Sequence, residues 1–446
     1  MSDQKVHKPK AVSGFPEWLP EYRAVELEWM DKIRKVFESY GFCNIETPAV
    51  EEIDALLAKG GETEKEIYTL TRLHAEEGDK EARLALHFDL TVPMARYVAQ
   101  HFGDLTFPFK RYQMQKSWRG ERPQKGRYRE FYQCDIDVVN IDELPLHFDA
   151  ELPAVLFEAY QALGIPPVEL RISNRKILMG YIAGLGISDP GIVTRTLDKL
   201  DKIGAEAVLK MLAEQGIAAD IAQKALSFVN IKTFDSGFAE QVQSLGVSSD
   251  LMTQGISELK FVIDNLGHLP KGAVVADLGI IRGLDYYTGT VLEARFAEDK
   301  TAAKPMPPMA IGGGGRYDDL AGSFIHQKLP GVGLSIGLTR LFGLLMDRGQ
   351  IPAGRKAPTD VLVVLPEEAR RAEAAQVAQT LRAKGLNVEL FHSDSKIKRQ
   401  LAYAEKKGIP YVWFPSFKDG QPHEVKNMLN GEQAAAEAAT WQPAKA

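Results

Sequence analysis

Cysteine is scarce in this chain: among its 446 residues only Cys43 and Cys134 occur, and they form no CxxC pair. The sequence therefore predicts neither a disulfide framework nor a cysteine-ligated zinc site. Long hydrophobic runs are also missing, since the first ten residues lack a signal-peptide core and no later run could span a membrane. We expect a cytoplasmic protein with no membrane partner. A GxxxxGKS-type phosphate loop is missing too, so side chains, arginine above all, must hold any bound phosphate.

The length and composition indicate a soluble protein of several domains. A chain of 446 residues is too long for one ordinary core, so two or three domains are expected. Hydrophobic residues make up 45% and charged residues 26%, as in globular proteins. The net charge of −6 gives no overall attraction to nucleic acid. A phosphate backbone, however, responds to local patches within about 8–10 Å.

Two segments concentrate positive charge. They comprise Lys110, Arg111, Lys116, Arg119, Arg122, Lys125, Arg127 and Arg129 in the first, and Lys396, Lys398, Arg399, Lys406 and Lys407 in the second. Without other information, each cluster is explained more simply as a solvated face. The first differs because Tyr128, Phe131 and Tyr132, together with two glycines, are interleaved with its arginines. This interleaving favours a contact with a nucleotide or nucleic acid there.

The first part of the chain alternates between helix and strand. Apolar residues at helical spacing predict a helix over Glu21–Tyr40, with Gly41 as a left-handed cap, followed by a strand over Phe42–Thr47 that Pro48 ends. Further strands are expected at Leu84–Leu90, Phe107–Trp118, Arg129–Val139 and Val168–Ser173. The second and third of these flank a basic loop and predict a hairpin.

The remainder of the chain predicts an insertion, a linker and a second domain. The pattern is helical over Ile177–Leu266 and returns to strands at Val274–Ile281, Thr288–Phe296 and Gly331–Ser335, then to a helix at Leu338–Met346. Ile351–Pro358 has the two prolines and the glycine of a linker. Beyond it, strands at Asp360–Leu365, Val388–Phe391 and Tyr411–Phe414 alternate with helices at Glu367–Lys384 and Lys396–Lys407. This alternation predicts a small parallel α/β domain.

Three stretches far apart in the chain place arginine beside glycines or aromatic residues. They are Trp118–Asp137 (WRGERPQKGRYREFYQCDID), Arg282–Gly289 (RGLDYYTG) and Gly312–Asp318 (GGGGRYD). In this order and spacing they resemble class II aminoacyl-tRNA synthetases and, within that class, the histidyl-tRNA synthetases, which RGLDYYTG separates from their relatives. The resemblance extends from about Gly14 to about Gln433.

The resemblance implies an α+β fold in two domains. Residues 1–350 are expected to form the class II catalytic domain, an antiparallel sheet with flanking helices, with a helical insertion at about 177–266. Residues 351–358 are then the linker and 359–446 a C-terminal α/β anticodon-binding domain. The family is dimeric, and the helix, strand and proline near the N-terminus match the segment that builds its dimer interface.

The resemblance also implies which arginines act on ATP. Activation requires an amino-acid carboxylate to attack the α-phosphorus, and charge neutralisation by arginine suits that reaction. Arg119 matches the arginine at the α-phosphate and Arg316 the arginine near the γ-phosphate, while Arg282 matches a catalytic arginine at the reacting centre. The alternatives are ion pairs, of Arg119 with Glu121 and of Arg282 with Asp285. The glycine run before Arg316 either lets backbone approach a ligand closely or is a flexible linker.

Recognition of histidine requires a hydrogen-bond acceptor and a donor facing a flat ring. By resemblance, Asp137 accepts from the imidazole, and Tyr286 and Tyr287 line or bond the ring; two alternating core aromatics are the other explanation for the tyrosines. Asp89 and Thr91 match the site for the amino group, although Asp89 is also placed to cap a following helix. Gln133 matches a glutamine that bridges the amino and carboxyl groups.

The resemblance thus implies a homodimeric histidine–tRNA ligase that uses ATP with Mg²⁺ and binds L-histidine and tRNA(His), and the composition predicts a cytoplasmic location. Lys125 and Arg127, in the basic loop, are candidate tRNA contacts, and no metal-ligating residue is identified. Two rivals remain. One is the synthetase-like regulatory subunit of ATP phosphoribosyltransferase, which typically lacks the RGLDYYTG segment and the C-terminal domain. The other is a class II synthetase for another amino acid, which the pairing of Asp137 with Tyr287 disfavours.

Overall fold

The computed structural model describes residues 8–57, 65–74, 83–187, 189–281, 287–298, 301, 305–416, 418 and 420–444. The chain divides into two compact units. The first comprises Met1–Pro16 and Trp29–Gln350, and the second comprises Glu17–Glu28 and Ile351–Ala446. No helix in these described ranges is long and apolar enough to cross a membrane.

The described chain contains both helices and short strands. The helices are α1 (Pro20–Ser39), α2 (Ile53–Leu57), α3 (Thr91–Gln100), α4 (Phe148–Leu163), α5 (Arg175–Gly184), α6 (Pro190–Leu197), α7 (Leu200–Glu214), α8 (Ala219–Val229), α9 (Phe238–Ser244), α10 (Asp250–Asn265), α11 (Leu338–Asp347), α12 (Arg371–Arg382) and α13 (Ile397–Lys407). The strands are β1 (Cys43–Asn44), β2 (Val50–Glu52), β3 (Thr69–Leu70), β4 (Leu84–Leu86), β5 (Phe109–Trp118), β6 (Glu130–Val139), β7 (Val168–Asn174), β8 (Lys232–Thr233), β9 (Val274–Asp277), β10 (Thr290–Phe296), β11 (Gly312–Tyr317), β12 (Gly331–Ile336), β13 (Val361–Val363), β14 (Val388–Leu390), β15 (Tyr411–Phe414), β16 (Glu424–Asn427) and β17 (Gln433–Ala435).

A nine-stranded sheet organises the first unit, in the order β1-β5-β6-β12-β11-β10-β7-β9-β8. Its pairs are antiparallel except β1 with β5 and β7 with β9. The predicted hairpin is confirmed, because β5 and β6 pair from Phe109 opposite Val139 to Trp118 opposite Glu130. A separate small sheet has the order β2-β4-β3. The expected antiparallel core with flanking helices is therefore confirmed.

Helices cover the apolar side of the large sheet. α4 packs against β7 and β12, and α11 packs against β6. On β6 the alternate residues Cys134, Ile136 and Val138 are fully buried. Because successive side chains on a strand point to opposite faces, the intervening residues Gln133, Asp135 and Asp137 share the other face. This places polar side chains on the sheet surface away from that core.

The predicted helical segment consists of α5 to α10 and one short strand. Polar side chains begin three of these helices: Asn174 accepts from the Lys176 N–H, Asp189 from the Gly191 N–H and Ser249 from the Met252 N–H. Between α8 and α9, β8 pairs with β9 and adds an edge strand to the large sheet. The sequence pattern did not indicate this strand, since only two residues form it.

The second unit has a mixed sheet rather than the parallel sheet that the sequence predicted. β14, β13 and β15 are parallel neighbours, whereas β16 and β17 extend the sheet in antiparallel orientation. The last two strands were missed because β16 is short and mostly polar and β17 is alanine-rich and exposed, so neither has an apolar alternation. The core is conventional: Val361–Leu365 and Trp413 are fully buried.

A buried glutamine joins two elements of this second unit. Gln400, on α13, is fully buried. Its Oε1 accepts from the Leu365 N–H at 2.9 Å, and its Nε2 donates to the carbonyls of Leu365 and Ser395 at 2.8 and 2.7 Å. One side chain thus satisfies three backbone groups, two of Leu365 just beyond the end of β13 and one of Ser395 just before α13, which would be costly to leave unpaired.

We predict that Gln400→Leu lowers the free energy of unfolding by about 2–5 kcal/mol, because buried backbone groups lose their partners. Urea denaturation followed by tryptophan fluorescence measures this loss. Gln379→Leu is the matched control, since Gln379 is exposed on α12 and its replacement should change stability little. Equal stability of the two variants would show that Gln400 is dispensable.

Candidate active site

A cavity of about 320 Å³ opens in the first unit, above the polar face of β6. All three arginine-containing stretches contribute to its wall, the second through Tyr287 and the third through Gly312–Gly314. The residues predicted for the site that line it are Asp89, Thr91, Arg119, Arg127, Gln133, Asp137 and Tyr287. Arg282 and Tyr286 lie outside the described residues, so their roles stay predictions. The glycine run is strand β11, not a linker.

Asp137 is held in the cavity wall by two partners. Its side chain is almost wholly buried, and its Oδ1 accepts a hydrogen bond from the Tyr317 hydroxyl at 2.9 Å. Its Oδ2 lies 2.6 Å from a terminal nitrogen of Arg111, the residue directly opposite on β5. Burial raises the pKa of the Asp137 carboxyl to about 7, while the charge of Arg111 acts to lower it.

Gly333 makes room for this carboxylate. It lies opposite Asp137 on the neighbouring strand β12. A Cβ at Gly333 would lie 1.9 Å from Asp137 Oδ1 and 2.6 Å from its Cγ, far inside van der Waals contact. The absence of a side chain there is therefore a steric requirement of the Asp137 conformation.

Asp89 uses its two carboxylate oxygens differently. Oδ1 accepts from the Val92 N–H at 3.1 Å in the first turn of α3, so the capping role is observed. Oδ2 is buried and has no hydrogen-bond partner among the described residues. Burial raises the pKa of this carboxyl to about 6. Capping and ligand binding are thus compatible, because separate oxygens serve them.

Arg119 faces the cavity instead of pairing with Glu121. Its Nε donates to the Phe88 carbonyl at 2.9 Å, and its guanidinium carbon lies 5.1 Å from the centre of the Phe131 ring. This geometry is that of a cation–π contact, in a residue that lines the cavity. Glu121 pairs with Arg127 at 2.8 Å.

The basic loop separates its two candidate tRNA contacts. Gly126 has φ of +72° and allows a tight turn, in which Gln124 and Arg127 form backbone hydrogen bonds to each other. Arg127 lines the cavity, whereas Lys125 is exposed and does not appear in the wall. A nucleotide in the cavity and a nucleic acid outside it would therefore meet different residues of one turn.

The structure does not bring Arg316 to the cavity. Its Nε lies 3.0 Å from Asp149 Oδ1, and a terminal nitrogen donates to the Leu144 carbonyl at 3.1 Å. Arg340 lines the cavity instead, and its Nε and a terminal nitrogen donate to the carbonyls of Gly126 and Ala310 at 2.8 and 3.0 Å. Burial lowers the pKa of Arg340.

Arg340 is a site residue that the sequence analysis missed. It lies in the first turn of α11, directly after the glycine-containing strand β12. A glycine-rich strand followed by an arginine in a new helix was the available signal. The sequence prediction instead chose Arg316, because it directly follows the four glycines of the GGGGRYD stretch.

Two family profiles match the chain. "Histidyl-tRNA synthetase" matches residues 14–341, and "Anticodon binding domain" matches residues 360–434. A curated histidine–tRNA ligase from Thermobifida fusca is 56% identical over 443 residues, covering 99% of this chain and 100% of the relative. The chain belongs to the histidyl-tRNA synthetase family.

Other members of the histidyl-tRNA synthetase family agree with this assignment. The histidine–tRNA ligase of Micrococcus luteus is 45% identical, with 97% of this chain and 96% of that protein covered. The crystal structure of a histidyl-tRNA synthetase from Nostoc sp. PCC 7120 matches with a TM-score of 0.84 and 38% identity, covering 97% of this chain and 98% of that one. The fold class expected from the sequence is thereby confirmed.

We predict that Gly333→Ala raises the KM for histidine by about tenfold or more, because the new methyl group displaces the Asp137 carboxylate. The KM for ATP should change much less. Initial rates at varied histidine and ATP measure both constants. Gly103→Ala is the control, since a Cβ there meets nothing within 4 Å. Equal increases in the two constants would contradict a local effect on Asp137.

Proposed function

We propose that this chain is a histidine–tRNA ligase. It activates L-histidine with ATP to histidyl-adenylate and transfers the histidyl group to the 3′-terminal ribose of tRNA(His). The observation that carries the proposal is the cavity itself, whose wall combines a buried carboxylate, the ring of Tyr287 and several arginines. Such a site joins recognition of a flat polar ring to binding of phosphate.

The ring of histidine is the proposed ligand of Asp137 and Tyr287. A neutral imidazole offers one N–H donor and one nitrogen acceptor. Asp137 is held by Arg111 and Tyr317, so its carboxylate is fixed before substrate arrives. Preorganised hydrogen bonds reject side chains that cannot make them, because the buried polar groups would stay unpaired.

Arginines supply the positive charge for adenylate formation. The histidine carboxylate attacks the α-phosphorus in line, the bond to the bridging oxygen breaks, and pyrophosphate leaves. Arg119 and Arg340 flank the cavity and are proposed to neutralise charge on the phosphates. Arg282 stays the predicted third cation. Arg316 is paired with Asp149, so we assign it a supporting role rather than direct contact with ATP.

Mg²⁺ is proposed to arrive with ATP. Within the described ranges, no group of three or more His, Cys, Asp or Glu side chains could hold a metal alone. Mg²⁺ commonly keeps several waters and binds through substrate phosphates with one or two carboxylates. Glu121 and Glu293 line the cavity and are the candidates. When bound, the ion would share the neutralisation of phosphate charge with the arginines.

The regulatory subunit of ATP phosphoribosyltransferase is the second candidate. The crystal structure of an ATP phosphoribosyltransferase regulatory subunit/histidyl-tRNA synthetase from Bacillus halodurans matches with a TM-score of 0.73 at 19% identity, which indicates a common fold alone. The match of residues 360–434 to an anticodon-binding domain favours the ligase.

We also propose a cytoplasmic homodimer, consistent with β1 as an exposed edge strand of the large sheet.

We predict that histidine, alone among the twenty amino acids, supports ATP–pyrophosphate exchange. Discrimination should reach about 10⁴-fold, as expected when a pocket selects by hydrogen bonds. The assay compares all twenty amino acids at equal concentration, with a reaction lacking amino acid as the blank. Exchange with none, or with several to the same extent, would exclude the proposed activity.

Lys125 and Arg127 should separate tRNA charging from amino-acid activation. Lys125→Ala is expected to weaken aminoacylation and to lower the slope of its log–log salt dependence by about one, with pyrophosphate exchange unchanged. Arg127→Ala should reduce both reactions, because Arg127 also lines the cavity and pairs with Glu121. Loss of exchange in Lys125→Ala equal to its loss of charging would place the whole turn in the ATP site.

A further inference from the structure

Three buried acceptor atoms in the cavity wall have no hydrogen-bond partner among the described residues. They are Asp89 Oδ2, Gln133 Oε1 and Asp135 Oδ1. All three residues line the cavity, and the two aspartates are each only 3% exposed. A buried acceptor without a donor is costly, so two carboxylate oxygens and one amide oxygen without donors in one wall indicate a ligand rich in donors.

Asp135 is the member of this set for which neither the sequence motifs nor the family resemblance supplied a role. It lies on β6 between Gln133 and Asp137, on the same face of the strand. It is therefore roughly 7 Å along the strand from each of them. Its charge acts on both neighbouring sites, since it raises the pKa of Asp89 and of Asp137.

One hydroxyl group orients both Gln133 and Asp135. Gln133 Nε2 donates to Ser335 Oγ at 3.0 Å, and hydrogen bonding by the same hydroxyl acts to lower the pKa of Asp135, which burial raises. Ser335 lies directly opposite Asp135 on β12. With its amide nitrogen engaged, Gln133 keeps Oε1 as an unpaired acceptor, and Asp135 likewise keeps Oδ1, both in residues of the cavity wall.

The arginines near Asp135 do not occupy its Oδ1 oxygen. Arg111 and Arg119 both act electrostatically to lower the pKa of Asp135, while burial raises it. Arg111 is in contact with Asp137, and Arg119 donates through Nε to the Phe88 carbonyl. Neither arginine hydrogen-bonds to Asp135 Oδ1.

We propose that Asp135 is a further acceptor for the α-ammonium group of the amino-acid substrate, beside Asp89, Thr91 and Gln133. An ammonium group carries three N–H donors and no acceptor, so it is the kind of ligand group that unpaired buried acceptors require. The proposal rests on the proposed function, because it takes the substrate to be an amino acid. It adds a residue that selects for a free α-amino group, and it makes Ser335 a positioning residue.

Two ligands distinguish an ammonium contact from a contact with the ring. L-Histidine carries both groups, whereas 3-(imidazol-4-yl)propionate has the ring and the carboxylate but no amino group. Isothermal titration calorimetry of the full-length protein gives the Kd of each. We expect Asp135→Asn to weaken binding of L-histidine by about 10- to 100-fold, as for loss of a hydrogen bond to a charged group. Binding of the propionate should stay within about twofold of wild type.

Asp137→Asn is the matched comparator, since it makes the same change two residues along the same strand face. It should weaken both ligands, because Asp137 faces the ring that they share. Equal loss of both ligands in Asp135→Asn, or loss of neither, would overturn the proposal and assign Asp135 to the ring or to the scaffold. Failure of the wild-type protein to bind L-histidine would instead reject the proposed function.

Ser335→Ala keeps the inference testable if Asp135→Asn does not fold. Circular dichroism melting curves establish folding for each variant. Without the Ser335 hydroxyl, both Gln133 and Asp135 lose their fixed orientation, so L-histidine is expected to lose about 3- to 10-fold in affinity and the propionate, which meets Gln133 only through its carboxylate, clearly less. Equal loss of both ligands by a folded Ser335→Ala variant would also overturn the proposal.

Discussion

The contact between Asp137 and Arg111 is the interaction on which the rest of the cavity depends. Both side chains are almost completely buried, and they lie opposite each other on adjacent antiparallel strands. A buried charge is tolerated only when it is paired, so each residue constrains the other. The Tyr317 hydroxyl fixes the remaining direction of the carboxylate, and bare backbone at Gly333 gives it space. Four strands, β5, β6, β11 and β12, thereby meet at one carboxyl group.

Much of this arrangement could be predicted from the sequence. The hairpin around the basic loop follows from two alternating strands, and the residues at 133, 135 and 137 necessarily share a face. Asp89, Thr91, Arg119, Gln133, Asp137 and Tyr287 do meet in one cavity, as their resemblance to family motifs implied. Local patterns and motif matches are enough to predict a site residue when the strand or turn that carries the residue fixes its position.

What could not be predicted depends on partners distant in sequence. Arg316 has a long-range ion pair with Asp149, and α4, which carries Asp149, was not predicted because its nearly continuous apolar sequence has no clear period. Ser335 lies on β12 and Arg340 on α11, so their places in the site depend on how β12 pairs with β6 and β11 and where α11 begins. The unpaired oxygen of Asp135 becomes visible only when every neighbouring donor is placed. The glycine run of β11 was compatible with both a strand and a flexible linker, because composition alone does not distinguish the two.

The division of labour at Asp89 limits how this site can evolve. One oxygen stabilises the first turn of α3, while the other is a buried, unpaired acceptor in a residue of the cavity wall. A replacement of Asp89 that removes both oxygens would reduce helix stability and ligand affinity together, and selection would act against the combined loss. Asparagine or serine still caps a helix well, so these residues could alter the ligand contact while the fold persists. Few single substitutions of Asp89 could therefore change substrate preference without loss of the helix, and these are residues that keep a side-chain oxygen.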